Sequence, residues 1–275
     1  MLADPVLVAF AGVFGAMLGS FLNVCVHRLP RNESVIRPRS RCPSCGQPIA
    51  WYDNIPALSW LLLLGRCRAC KARISVQYPL VEVAVGLVWF AGVAQLGITV
   101  EALRAAVFVT LLLGMALTDA QHYVIPDAFS LGGAAAGLAF ALLPGGLPWW
   151  HAVLGMALGY ALLWFVRRVG DIALRRGWIG GKELETVLEE GEERTTMGEG
   201  DLRMMAMAGA FLGPTGVVLT LFLGALAGSL VFVPLRLLGK QLAVPFGVFL
   251  AVGATAALLF GPDLVAWYLG AAFGR

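Results

Sequence analysis

The sequence predicts an all-α polytopic membrane protein of about eight transmembrane helices. Three observations carry this. The 275-residue chain is 59% hydrophobic and only 13% charged, whereas soluble domains carry roughly 45–50% apolar and about 25% charged residues. Its apolar runs are long and almost free of charge, and a helix that crosses a bilayer needs about 20 such residues. The remaining charges gather in a few segments between those runs, where loops belong. A net charge of +3, with no basic stripe interleaved with aromatics, points to no nucleic acid as partner.

The first element, "MLADPVLVAFAGVFGAMLGSFLNVCV", lacks the positive start of a signal peptide, so it reads as a retained membrane helix over about 6–25. Further spans fall at about 79–97, 103–118, 128–143, 151–168, 202–213, 216–238 and 246–262. The sixth is short for a full crossing, and Pro214 and Gly216 set it off from the seventh. The tail 263–273 either extends the last helix or lies in the interface. Small residues recur four apart at Gly15/Gly19, Gly133/Gly137, Gly155/Gly159, Gly209/Gly213 and Gly224/Gly228. That spacing lets helix backbones approach closely in lipid, and tight packing is its plainest reading.

Charge placement orients the bundle. Residues 26–78 hold Arg28, Arg31, Arg37, Arg39, Arg41, Arg66, Arg68, Lys71 and Arg73 against Glu33 and Asp53 alone. The stretches 98–102 and 144–150 contain no Lys or Arg, while 167–203 holds seven more basic residues and the loop near 240 carries Arg236 and Lys240. Basic loops face the cytoplasm, so the N-terminus lies outside and the three charged loops inside. The chain divides into a first membrane helix (1–25), a cytoplasmic loop (26–78) and a membrane-embedded part (79–275) with its own cytoplasmic loop at 169–201.

The loop at 26–78 carries "RCPSCGQPIAWYDNIPALSWLLLLGRCRAC". Cys42 with Cys45 and Cys67 with Cys70 form two CxxC knuckles, and four thiolates so arranged suit one tetrahedral structural zinc. A reducing cytoplasm argues against disulfides. A redox pair of CxxC motifs and unliganded thiols are the other readings. Gly46 suits the tight turn after the first knuckle. Cys25 stands apart and reads as a buried spectator.

The third span ends "VTLLLGMALTDAQHYVIPD", and the chain re-enters the membrane at "MGEGD". Asp119 and Asp201 are therefore separated by two crossings and share one membrane face. Ionisable residues at membrane depth are costly and usually functional. Two carboxylates that share a water can divide acid and base roles, because like charges a few ångströms apart do not both ionise. Gly198 and Gly200 would let the backbone approach a neighbour closely. Asp201 also reads as a helix N-cap, and Asp127 after Pro126 as a cap or turn residue. Asp119 closes a helix, where a negative charge opposes the dipole, so capping does not explain it. Glu82 reads as the partner of a loop arginine ahead of a substrate role, Glu199 as a solvated loop residue ahead of a third carboxylate near the site, and "KELETVLEEGEER" (182–194) as a short amphipathic surface helix, a solvated face ahead of a lid.

Five stretches in order, "GSFLNVCVHRLP" (19–30), "RPRSRCPSCGQPIAWYDNIPALSWLLLLGRCRACKARISVQYPLVE" (37–82), "TDAQHYVIPD" (118–127), "MGEGD" (197–201) and "PFGVFLA" (245–251), resemble the bacterial type IV prepilin peptidases, also called leader peptidase/N-methyltransferases. The resemblance extends through most of the chain. It implies a multi-pass aspartic endopeptidase of the GxGD class in the bacterial inner membrane, cutting the basic leader from type IV prepilins and type II secretion pseudopilins on the cytoplasmic side. It implies Asp119 and Asp201 as the catalytic pair, with Gly198 and Gly200 supporting the second. Cys42, Cys45, Cys67 and Cys70 would hold one structural zinc. It further implies N-methylation of the new N-terminal residue with S-adenosylmethionine as methyl donor.

The chain departs from relatives at Gln121, where many carry a further aspartate, and in a longer stretch over about 170–196. No Gly-rich nucleotide fingerprint accompanies the methyltransferase expectation. Two other readings stay open at the level of sequence. A proton- or cation-coupled transporter would use Asp119 and Asp201 as ion sites, although such sites usually lie at the bilayer midplane. A signal-peptide-peptidase-like enzyme would carry a tyrosine before its first aspartate, where this chain has Thr118.

Overall fold

The computed structural model describes residues 4–176, 178, 196–238 and 245–274. These form α-helices and loops, with two isolated β-bridges, Arg41 to Pro48 and Arg66 to Arg73, in place of strands. Among the described residues, six helices are long and apolar enough to cross a membrane: α1 (Pro5–Arg28), α3 (Gln77–Leu96), α4 (Val100–His122), α6 (Trp149–Arg175), α7 (Glu199–Leu237) and α8 (Phe246–Phe273). Helix α5 (Asp127–Ala141) is apolar and shorter, and the five-residue α2 (Leu58–Leu62) sits in the loop between α1 and α3.

All eight predicted spans are helical, and α7 contains two of them. At about 1.5 Å per residue, its 39 residues are far longer than a hydrocarbon core of about 30 Å. The helix breaks at Gly213, whose φ of 71° and ψ of −175° no helix contains. Pro214 follows, and without an N–H it cannot continue the ladder. The tail after 262 continues α8 as helix despite Pro262.

The chain falls into two compact units. The first runs over Met1–Phe129 with Leu142–Gly146. Here α1 starts on an Asp4 cap that accepts the Val6 N–H at 2.9 Å, with Pro5 at the first helical position, where its missing N–H costs nothing. Gly15 and Gly19 mark the closest approach of α3. A Cβ on Gly15 would meet Trp89 at 2.7 Å, and one on Gly19 would meet the Cα of Glu82 at 2.7 Å. Phe14 lies edge-on to Trp89 at 5.2 Å, and the Trp89 indole donates to the Thr110 hydroxyl of α4 at 3.2 Å. Helix α4 begins on a Thr99 cap that accepts the Ala102 N–H at 3.1 Å.

The second unit comprises Ser130–Ala141 and Leu147–Arg275. Gly155 and Gly159 of α6 lie against Gly209 and Met205 of α7, and a Cβ on Gly209 would overlap the Gly155 carbonyl. Gly253 of α8 lies against the Thr220 carbonyl and Gly224 of α7 in the same way. Most of the small-residue pairs therefore mark helix contacts, as their spacing predicts, while Gly213 makes the kink. Phe10, Phe222, Leu230 and Trp267 point outward, as lipid-facing positions on spanning helices require.

Candidate active site and metal centre

Asp119 sits in the last turn of α4 and is 7% exposed. Its carbonyl accepts the N–H of Tyr123, which ends the helix in the left-handed region at φ 54°. That conformation costs an L-residue about 1–2 kcal/mol. Thr118 beside it is fully buried, and its hydroxyl reaches back to the Gly114 and Met115 carbonyls at 3.1 and 3.0 Å. The carboxylate is thus on a rigid helical turn, not on the loop that follows.

Asp201 belongs to the second unit, in the first turn of α7. The reading of Asp201 as N-cap is corrected: Gly198 occupies the cap, and Asp201 is the third helical residue. A carboxylate there still complements the helix dipole. Gly198 has φ −72° and ψ 152°, open to any residue, and among the described residues a Cβ on it would meet nothing nearer than Asp201 Oδ2 at 3.8 Å. Its described surroundings therefore do not demand glycine. Asp127 is the first residue of α5, in keeping with a turn or cap position after Pro126.

Two further corrections concern glutamates. Glu199 is exposed, as a solvated residue would be, but it opens α7 instead of lying in a loop and pairs with Arg167 of α6. Glu82 makes no ion pair with any described arginine. It is 8% exposed, and its Oε2 accepts the backbone N–H of Ala57 at 2.7 Å. The segment 182–194, and most of the longer stretch at 170–196, lie outside the described residues.

The four cysteines come together. All four Sγ atoms lie within 4.8 Å of one another, and Cys42 Sγ is 3.8 Å from Cys70 Sγ. A tetrahedron with Zn–S bonds of about 2.3 Å has sulfur–sulfur edges of about 3.8 Å, so the cluster fits a tetrahedral thiolate metal site. The two knuckles are copies of one another. In the first, the Cys42 N–H donates to the Gln47 carbonyl at 3.0 Å and the Gly46 N–H to the Cys42 carbonyl at 2.9 Å. In the second, the Cys67 N–H donates to the Ala72 carbonyl at 2.9 Å and the Lys71 N–H to the Cys67 carbonyl at 3.0 Å. Gly46 and Lys71 hold the same left-handed place, at φ 70° and 60°. The role of Lys71 was legible only by aligning "RCPSCGQP" with "RCRACKAR".

The thiols differ in acidity. The backbone N–H groups of Cys45 and Ser44 hold Cys42 down to about 6. Cys70 is pushed up to about 11, because burial and its three cysteine neighbours outweigh the Ala72 N–H that lowers it. One sulfur is thus ready to bind a cation, while another gives up a proton to do so. Arg68 braces the second knuckle by a forked bond to Asp53, with Nε at 2.8 Å from Oδ2 and Nη2 at 2.6 Å from Oδ1. That bonding holds the Asp53 carboxyl below the usual carboxylate range. Cys25 is buried on α1 away from this cluster, as expected of a spectator.

Sequence reasoning missed Asp171 of α6, which is 8% exposed and accepts both the N–H and the hydroxyl of Thr196. Its helix runs on past the apolar stretch, and nothing local in the sequence announces a partner 25 residues away.

Residues 13–96 match the Bacterial Peptidase A24 N-terminal domain, and residues 106–233 the Type IV leader peptidase family. A prepilin leader peptidase/N-methyltransferase of Myxococcus xanthus is 38% identical over 227 residues, covering 82% of this chain and 62% of the relative. Proteins of the same description from Aeromonas salmonicida and Pseudomonas putida are 33% and 34% identical, each covering 94% of this chain and 92% of the relative. No solved structure matches the chain.

Proposed function

Because the chain belongs to the type IV leader peptidase family and is an enzyme of it, we propose that it cleaves the leader from type IV prepilins and pseudopilins with Asp119 and Asp201 as its catalytic pair. The observation that carries this is the placement of each aspartate at the end of an apolar helix, in the last turn of α4 and the first turn of α7. Two helices, α5 and α6, lie between them in chain order, which argues for one shared membrane face. The basic loops argue that this face is cytoplasmic.

In the proposed cycle one aspartate is ionised and the other protonated. The ionised carboxylate takes a proton from water, and the oxygen attacks the scissile carbonyl carbon. The protonated partner gives its proton to the carbonyl oxygen as the tetrahedral adduct forms. Collapse of the adduct breaks the C–N bond. The leaving amine then takes the proton that the first carboxylate had accepted from water, and the gem-diol returns one to the second.

Zinc is the metal we assign to Cys42, Cys45, Cys67 and Cys70. Four thiolates leave it no open position, so its role is to hold the loop. For the methyltransferase half, S-adenosylmethionine supplies an activated methyl group for the new N-terminal amine. The transporter reading has no support from a peptidase family match.

Purified enzyme and a prepilin substrate test the proposal. Asp119→Asn and Asp201→Asn should each lower cleavage by about a thousandfold or more, with helix content and metal content unchanged. Near wild-type cleavage by either variant would remove that residue from the pair.

A further inference from the structure

A cavity of about 740 Å³ lies within the first unit, walled by α1, α3 and the cysteine loop. Its volume falls in the range of about 300–1,000 Å³ typical of small-molecule sites. Three of its lining residues are polar and at least nine-tenths buried: Asn23 of α1, 5% exposed, Ser59 of α2, 5% exposed, and Glu82 of α3, 8% exposed.

The Ser59 hydroxyl is spent on the Tyr52 carbonyl at 2.8 Å, whereas Asn23 and Glu82 each keep one oxygen that no described residue uses. Glu82 Oε2 accepts the Ala57 N–H at 2.7 Å, while Oε1 accepts no hydrogen bond and the carboxylate has no ion-pair partner among the described residues. Asn23 Nδ2 donates to the Tyr78 carbonyl at 3.1 Å, and its Oδ1 accepts from no described residue. A buried carboxylate without a counter-charge is costly, and here it faces an open cavity. The Ala57 contact accounts for one oxygen only. Trp60 and Tyr78 supply aromatic wall, and Arg41 and Arg73 line the same space from exposed positions. A ligand that suits these groups carries a positive centre for Glu82 and Asn23, a flat apolar body, and an acidic end for the arginines.

We propose that this cavity seats the methyl donor, S-adenosylmethionine, with Glu82 and Asn23 facing its cationic centre. The inference rests on the reading of the chain as an S-adenosylmethionine-dependent methyltransferase and adds the site. The sulfonium ion is positive, whereas the thioether left after methyl transfer is neutral. A carboxylate beside that sulfur therefore favours donor over product by Coulomb attraction, and so helps exchange one for the other. The ammonium of a newly cut N-terminus has the same onium chemistry, and the experiment separates the two.

The test is calorimetric titration of the full-length, zinc-loaded protein in nanodiscs with S-adenosylmethionine, S-adenosylhomocysteine and phenylalanine amide. Wild type should prefer the sulfonium over the thioether by about tenfold or more. Glu82→Gln keeps an oxygen for the Ala57 N–H and should bring the two affinities level. Asn23→Asp, which adds a second carboxylate to the wall, should widen the preference. Zinc content and elution volume report whether each variant is folded, and Asn23→Asp carries the test if Glu82→Gln is not.

A sulfonium preference untouched by both substitutions would overturn the site while leaving the methyl donor in place. Wild-type protein that binds neither adenosyl compound would overturn the donor reading itself. Loss of phenylalanine amide binding in Glu82→Gln, with donor binding intact, would give the cavity to the acceptor's ammonium and also overturn the proposal.

Discussion

Thr196 donates both its backbone N–H and its hydroxyl to Oδ1 of Asp171, at 2.8 and 2.9 Å. The two residues are 25 positions apart, and their contact ties the residue before "MGEGD" to the end of α6. Arg167, one turn earlier, reaches Asp171 Oδ2 at 3.8 Å and pairs with Glu199 at the start of α7. Gly170 makes room: a Cβ there would meet the Thr196 hydroxyl at 2.7 Å. The turn that presents Asp201 is thus clamped from outside the motif.

If the clamp positions Asp201, Asp171→Ala and Thr196→Val should each lower the cleavage rate about tenfold or more. A hydrogen bond to a charged group contributes about 1.5–3 kcal/mol. The double variant should be little worse than the worse single one, with a coupling of about 1–2 kcal/mol in the cycle. Additive losses would mean that the two residues act separately.

Metal uptake should release protons. At pH 7 Cys42, held at about 6, is mostly thiolate, whereas Cys70, pushed up to about 11, keeps its proton until a cation displaces it. Adding zinc to the metal-free protein should therefore release at least one proton per metal, read with an indicator dye. Affinity should fall as pH drops through about 6, where Cys42 protonates, and rise toward 11, where Cys70 no longer competes. A flat pH profile would remove the thiols from the site.

The matched knuckles respond differently to substitution. Gly46 and Lys71 share a left-handed backbone, so Lys71→Gly should keep the metal, whereas Gly46→Val forces a β-branched residue into φ 70°. A loss of about tenfold in zinc retention against a chelator is expected for Gly46→Val alone.

Close packing gives a third contrast. Gly209→Ala overlaps the Gly155 carbonyl of α6 and should destabilise by about 1–3 kcal/mol, read as a fall in Tm in detergent. Gly132→Ala in α5 meets nothing within 4 Å and should be neutral or gain up to about 1 kcal/mol from helix propensity. Equal Tm values for the two would show that α6 and α7 are not in contact at Gly209.

The sequence by itself determined the helices, because apolar run length is a local property and each run is long enough to state itself. It also located both aspartates at helix ends and paired the cysteines into knuckles, since spacing along the chain decides both. It could not decide the partners of buried polar groups. Glu82 looked set for an arginine because arginines crowd its loop, yet folding gave it the Ala57 N–H and a cavity. Asp201 looked like a cap until the backbone placed Gly198 there. Asp171 and Thr196 carry no mark in the sequence at all. Hydrogen-bond choice among buried groups depends on which segments meet after packing, and that is settled by the tertiary structure, where each unpaired oxygen costs enough to select its partner.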